Sequence, residues 1–237
     1  MKIKIAANTG LAKVAVQCSS APMTCGKVII KNWSSFENVN LEDTMKEIIM
    51  LKVTLDDIKP HIWRRVLVRS SSSFWELHNI LQIVFGWENS HLFQFKTDGY
   101  FIGLPDTEFE EDSHKTLDAR EIKLDKVITE VGYTFSYEYD FGDSWGHTIK
   151  VEKFLFADPD TIYPLCTSGE RAAPPENCGG VPGFKLLMKS KGREKNPEYD
   201  EIMGGRKAFN PENFNVEKVN KQLSSLDSYM RKIEKGV

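Results

Sequence analysis

Between Tyr137 and His147 the chain reads YEYDFGDSWGH, which sets two aspartates, a histidine and a tryptophan within one short run. Carboxylate oxygens and an imidazole nitrogen are donors that hold a divalent cation, and the same groups act as general acid and base. Asp140, Asp143 and His147 are therefore candidates for either role. A plainer account competes with both. Asp143 before Ser144 suits a turn in which its side chain accepts local amide hydrogens. In strand register Asp140 falls on the polar face and His147 on the aromatic one, so only a loop brings them together.

More donors lie further along. Cys166 and Cys178 stand in a Pro/Gly-rich run, CTSGERAAPPENCGGVPG. As thiolates they would complete a metal site with His147, or with His91 if the fold draws it near. As neutral thiols they are small buried side chains beneath a loop. Arg171, between them, is placed to pair with an acid such as Glu176 or to clamp an anion. Arg64, Arg65 and Arg69 interleave with Trp63, a pattern that holds phosphates or stacked bases, or that snorkels along a solvent face. His78 reads as a rim residue and Trp87 as core. No HExxH run and no GxSxG elbow accompanies these groups, which disfavours nucleophilic hydrolysis. The DFG at Asp140 lacks the glycine-rich loop and HRD run of a kinase.

The elements that must carry these groups begin sharply at Leu51. LKVTL alternates Leu51, Val53 and Leu55 on one face, and IWRRVLV returns with Ile62, Arg64, Val66 and Val68 on one parity, so the two predict a hairpin. Ser73 followed by Glu76 is a capping box. Phe74, Leu77, Ile80, Leu81, Val84 and Phe85 then follow at helical spacing up to Gly86, a left-handed stop. HLFQF (91–95) reads as a strand before a turn at Asp98-Gly99, residues 105–118 as an acidic loop, and LDKVITEVG as a short helix ending near Gly132. Val131, Tyr133, Phe135, Tyr137, Tyr139 and Phe141 alternate as a strand, and the alternation resumes at His147, Ile149 and Val151. Residues 142–146 must then be a hairpin tip. The run from Cys166 to Gly183 is too rich in Pro and Gly for regular structure. Helical patterning returns at Phe184–Met188. It returns again in one terminal helix carrying Val216, Val219, Leu223, Leu226 and Met230. Strand pairs and helices without a repeated βαβ period imply an α+β fold, an antiparallel or mixed sheet packed with helices in a single domain.

The 237 residues, 41% hydrophobic and 27% charged, are ordinary for a globular protein, and a net charge of −3 argues against a wholesale nucleic-acid binder. Charge is uneven all the same. Asp106 to Asp143 holds twelve acids to four bases, whereas Val181 to Val237 holds twelve bases to eight acids. That pattern gives either two solvated faces or a basic C-terminal face for an acidic partner. Four scattered cysteines, Cys18, Cys25, Cys166 and Cys178, make no disulfide framework. No apolar run approaches the roughly 20 residues that cross a membrane. The N-terminus is a poor signal peptide, so a cytoplasmic location without membrane association is expected. Residues 1–47 carry weak periodicity and read as a loosely ordered extension. Met45 or Met50 is the expected initiator, because strong patterning starts there.

LDDIKPHIWRRVLV, ELHNILQIVFGWENSHLFQF, YEYDFGDSWGHTIKVE and CTSGERAAPPENCGG, with VNKQL downstream, together resemble the plasmid pRi ORF-three-like family, whose members also occur as passenger proteins of insertion elements. The resemblance covers residues 48–225 and leaves 226–237 as the end of the terminal helix. It implies a single α-β roll domain and brings no established activity. The family's shared polar residues map onto Trp63, Arg64, His78, Trp87, His91, Asp140, Asp143, Trp145, His147, Cys166, Arg171 and Cys178. One departure weakens a structural zinc: members often read Ala-Cys-Pro-Pro where this chain has Ala172-Ala173-Pro174-Pro175, which leaves a three-cysteine cage incomplete.

Two functional readings follow. In the first, the domain is a non-enzymatic binding module for a protein or a nucleic acid. Its polar cleft lies between the 141–147 hairpin tip and the 166–180 loop, lined by Arg64, His91, Asp140, Asp143, Trp145, His147 and Arg171. Mobile-element company favours nucleic acid by analogy only. In the second, it is a small metal-dependent enzyme using Asp140, Asp143 and His147, with Cys166 and Cys178 as further ligands and a divalent metal as cofactor. Both require the tip and the loop to meet at one mouth of the sheet.

Overall fold

A computed structural model of the chain describes residues 2–8, 11–17, 28–30, 47–105, 116–189, 200, 202 and 209–234. It contains two compact units, Met1–Thr44 and Met45–Val237. In the first, β1 (Lys2–Asn8), β2 (Leu11–Gln17) and β3 (Val28–Ile30) form a three-stranded antiparallel sheet, with Asn8 paired to Leu11 and Lys2 to Gln17. The sequence reading expected a loose extension here. Two short runs with alternating Ile and Val suffice to pair locally.

The second unit is α+β. Its strands are β4 (Ile48–Leu55), β5 (Trp63–Arg69), β6 (Phe93–Thr97), β7 (Tyr100–Gly103), β8 (Thr116–Asp118), β9 (Thr134–Tyr139), β10 (Trp145–Leu155) and β11 (Leu165–Glu170). They make one eight-stranded sheet in the order β11-β5-β4-β10-β9-β6-β7-β8. Only β7 and β8 run parallel. The β4–β5 hairpin and the β9–β10 hairpin both form, and His147 pairs with Leu55 where the two hairpins meet.

Helix α1 (Phe74–Phe85) starts where the capping box predicts. The Ser73 amide donates to Glu76 Oε2 at 2.7 Å and the Glu76 amide to Ser73 Oγ at 3.1 Å, an arrangement worth about 1 kcal/mol. Gly86, at φ 77°, ends the helix and donates to the Gln82 and Ile83 carbonyls. Every residue of α1 but Glu76 is buried, so the helix is enclosed rather than amphipathic. Its apolar side chains pack with Leu51 and Val53 of β4, Val66 and Val68 of β5, Phe135 of β9 and Ile149 of β10 in one core. Each such burial contributes roughly 1.5–3 kcal/mol.

The other helices are α2 (Leu124–Val127), α3 (Gly180–Lys189), α4 (Val216–Leu223) and α5 (Leu226–Glu234). Several details depart from the sequence reading. The helix at Leu124 spans one turn and stops well short of Gly132. The expected single terminal helix breaks at Ser224-Ser225, although Val219, Leu223 and Leu226 are all buried as its pattern requires. The Cys166–Gly183 run is not irregular throughout. Its first residues form β11, an edge strand with a register shift between Cys166 and Ser168, and only one neighbour strand has to be satisfied there. Most of the acidic loop, Cys18 and Cys25 lie outside the described residues. Among the described residues no helix is long and apolar enough to cross a membrane.

Candidate functional site

Three segments converge at one end of the sheet: the 86–92 connection after α1, the β9–β10 hairpin tip, and the 171–180 stretch after β11. The tip is wound tightly, with Asp140 at φ 57° and Ser144 at φ 53°. Asp140 itself makes the turn. Its Oδ1 accepts from the amides of Gly142 at 3.0 Å and Asp143 at 3.2 Å, and its own amide donates to the Leu92 carbonyl at 2.9 Å. The left-handed backbone at Asp140 ends the alternation, so Phe141 turns out to solvent, 51% exposed, instead of continuing the inward stripe.

The tip and the 166–180 segment do meet. The Gly179 amide donates to Asp143 Oδ2 at 3.2 Å. Gly180, at φ 64°, lies so close that a Cβ there would sit 2.6 Å from the Asp143 carbonyl oxygen. Glycine is required at Gly180 on both counts. The same segment is pinned to the 86–92 connection, where Trp87 Nε1 donates to the Pro174 carbonyl at 3.0 Å. Glu176, 4% exposed, anchors all three segments. Its Oε1 accepts from the Glu88 amide and from the Tyr139 hydroxyl, each at 2.8 Å.

This convergence places His91, Asp140 and Glu176 together, with one donor atom from each within 4.8 Å of the others. His91 Nε2 stands 3.5 Å from Asp140 Oδ2 and 3.8 Å from Glu176 Oε2. Those spacings are too long for hydrogen bonds. They suit a shared ion: two ligand atoms each about 2.1 Å from a cation, at the tetrahedral angle, lie about 3.4 Å apart. The two carboxylate side chains are 9% and 3% exposed, whereas His91 is 28% exposed and opens the cluster to solvent on its side. Among the described residues, the cluster brings two carboxylates and one imidazole together. Burial, and then the hydrogen bond to Glu176, push the Tyr139 phenol well above its ordinary range. Burial and the Glu176 charge also raise Tyr229 of α5.

The remaining predicted residues are placed elsewhere, and each placement has a physical cause. Arg64 is 2% exposed because its parity on β5 is that of Val66 and Val68. It donates at 2.8 Å to the carbonyls of Trp63, Val84, Glu170 and Arg171, a clamp between β5, α1 and the end of β11. Burial lowers its guanidinium to about 10. His147 and Trp145, at 0% and 1% exposure, belong to the core. The His147 ring meets Phe85 and Trp87 edge-on, and burial pushes it down to about 3. Arg171 pairs with Glu212 at 2.5 Å and not with Glu176. Cys166 is buried, its thiol pushed up by burial and directed at the Ser168 carbonyl 3.6 Å away. Cys178 is buried under α3, its carbonyl oxygen too close to Gly183 to admit a Cβ there. The set Asp140, Asp143, His147, Cys166 and Cys178 is therefore not assembled. Of its members only Asp140 joins a cluster of metal-ligand type among the described residues.

His78 is a further correction. It is fully buried and not at the rim, with Nδ1 2.8 Å from the Tyr137 hydroxyl and Nε2 2.6 Å from Asn89 Oδ1. Glu176 was visible in the sequence only as a partner for Arg171. No periodicity marks an acid inside APPENCGG, and its role comes from where the loop docks.

Residues 47–218 match the description of plasmid pRiA4b ORF-3-like proteins. An uncharacterized protein of Sinorhizobium fredii, y4hQ, is 37% identical over 144 residues, which are 60% of this chain and 72% of that one. A crystal structure of a protein of unknown function from Methanosarcina mazei Go1, MM3350, superposes with a TM-score of 0.64 at 30% identity, covering 73% of this chain and 97% of that chain.

Proposed function

The chain belongs to the plasmid pRiA4b ORF-3-like protein family, and we propose that its domain is a binding module built around a divalent cation held by His91, Asp140 and Glu176. The observation that carries the reading is the convergence of one imidazole and two carboxylates, from three separate segments, within 4.8 Å. Borderline Zn²⁺, or the harder Mn²⁺ through its preference for the two carboxylates, accepts this donor set. Three protein ligands leave a position open on the exposed His91 side, where an anionic group of a protein or nucleic-acid partner can complete the shell. The same open position supports a second reading, in which the cation activates a bound water for hydrolysis.

Calorimetric titration of the metal-free protein with Zn²⁺ and Mn²⁺ tests the module. One equivalent is expected to bind. His91→Ala and Asp140→Asn should each weaken binding at least tenfold, about 1.4 kcal/mol, while His147→Phe leaves it unchanged. Equal uptake by wild type and both site variants refutes the assignment.

A further inference from the structure

The sheet has a second face, of opposite parity to the core. Three cations stand there side by side on consecutive strands: Lys150 of β10 is opposite Lys52 of β4, and Lys52 is opposite Arg65 of β5. Like charges in direct cross-strand register oppose sheet formation, so the fold accepts a cost at this row. The cations are held in place rather than dispersed. Lys52 Nζ and Arg65 Cζ lie 5.1 and 5.2 Å from the Trp63 ring centroid. Glu152 grips Arg65 through two bonds of 2.5 and 3.0 Å. The register shift between Val151 and Lys153 makes Glu152 the extra residue of β10 and adds Lys153 to the same edge. Four cations stand around Glu152.

Beside the row is an open depression of about 660 Å³, lined by Lys150, Lys153, Arg65 and Glu152 together with Met50 and Val131. Val131 is 59% exposed, so apolar wall and cationic rim are both offered to solvent. On adjacent strands the three row cations span about 10 Å. We propose that this face binds single-stranded nucleic acid, phosphates along the Lys150–Lys52–Arg65 row and an unstacked base in the depression. A duplex fits less well, because its bases are stacked away and the face offers no helix or ribbon to enter a groove. An acidic peptide matches the row, but it offers a flat group to the depression only where its sequence holds an aromatic, whereas every nucleotide carries a base. The inference goes beyond the cation module and uses none of its residues.

Fluorescence anisotropy with a labelled single strand of about 12 nucleotides, titrated between about 50 and 200 mM salt, tests it. Binding should weaken as salt rises. The Lys52→Gln/Lys150→Gln double variant, on solvent-facing positions, should keep its melting temperature and lower the log–log salt slope by about 1.4. Glu152→Gln, which removes the acid that lines the depression, should tighten binding severalfold. Any of four results overturns the proposal: no binding at about 50 mM salt; a double variant that binds like wild type; a duplex or polyglutamate that binds as tightly as the single strand; or a mononucleotide that does so.

Discussion

Tyr137 and Tyr139 are two residues apart on β9, and each hydroxyl enters a different buried polar cluster. Around Tyr137 the network closes on itself. The hydroxyl bonds His78 Nδ1 at 2.8 Å and receives Gln82 Nε2 at 3.0 Å, while His78 Nε2 meets Asn89 Oδ1 at 2.6 Å. Asn89 in turn donates to Asn79 Oδ1 at 3.2 Å, and its amide donates to Gln82 Oε1 at 2.9 Å. Asn89 Oδ1 can only accept, so His78 carries its proton on Nε2 and accepts from Tyr137 on Nδ1. Around Tyr139 the groups are charged. Among the described residues, His91 Nε2 stands 3.5 Å from Asp140 Oδ2 and 3.8 Å from Glu176 Oε2. The first cluster is neutral and complete, which makes it structure. The second is charged, with an imidazole and two carboxylates at ion-ligand spacing. The contrast teaches that buried polarity of the neutral, hydrogen-bonded kind builds a fold, whereas charged donors held beyond hydrogen-bond distance are where a site is sought.

The sharpest way to break this comparison is to damage the closed cluster. His78→Phe keeps an aromatic ring against Phe93, which stacks on His78 at 3.6 Å between centroids, but leaves the Tyr137 hydroxyl proton without its acceptor and Asn89 Oδ1 without its donor. The expected loss is about 2–4 kcal/mol in the urea unfolding free energy. A loss within about 0.5 kcal/mol would show that the closed network contributes nothing special.

His147 gives a second, smaller effect, because it is buried without being wired in. Its Nδ1 is 3.3 Å from the Tyr137 carbonyl, and among the described residues its Nε2 has no hydrogen-bond partner. Burial holds its pKa at about 3, against an ordinary 6.5. Between those values the unfolded chain binds a proton that the folded protein does not, so this stability is full above pH 6.5 and is lost as pH falls toward 3. From pH 7 to pH 5 the cost is about 2 kcal/mol for such a histidine. His147→Phe should therefore unfold at a nearly unchanged urea midpoint at pH 7 and lose about 2 kcal/mol less than wild type on acidification to pH 5. Equal acid sensitivity in the two proteins would place the proton uptake elsewhere.

The scaffold was largely written in local pattern. The capping box at Ser73, the stop at Gly86 and both hairpins follow from spacing alone, whereas Arg64, read as part of a basic face, is buried because its parity is that of the core. What spacing could not give is what docks on what. His78 lies on the polar side of its helix, and only the enclosure of α1 on all sides turns that side into an interior. Phe141 keeps the alternation of its strand on paper, but one left-handed residue, Asp140, ends it. Glu176 sits in a stretch with no period, where its partners come from segments that are about 35 to 90 positions away in the chain. Asp140 and His91 were legible as donor types. Their third companion was not, because a metal-type cluster built from three loops has no sequence spacing of its own.

The smallest effect is the most discriminating. Asp140→Asn removes a charge from the charged cluster while preserving the atom that makes the turn, since an asparagine Oδ1 still accepts from Gly142 and Asp143. If the trio were a structural ion pair like a finished network, losing that charge would destabilise the metal-free protein. If it is spaced for a cation, relief of carboxylate repulsion offsets the weak 3.5 Å contact with His91, and stability should shift by no more than about 0.5 kcal/mol. The two proteins should then separate only when metal is added. Zn²⁺ at 100 times the wild-type dissociation constant stabilises wild type by about 2.7 kcal/mol and Asp140→Asn, at least tenfold weaker, by no more than about 1.4 kcal/mol. Matched urea titrations with chelator and with Zn²⁺ measure both halves. A large loss in chelator would reassign the trio to the fold, and the distinction between the clusters of Tyr137 and Tyr139 would disappear with it.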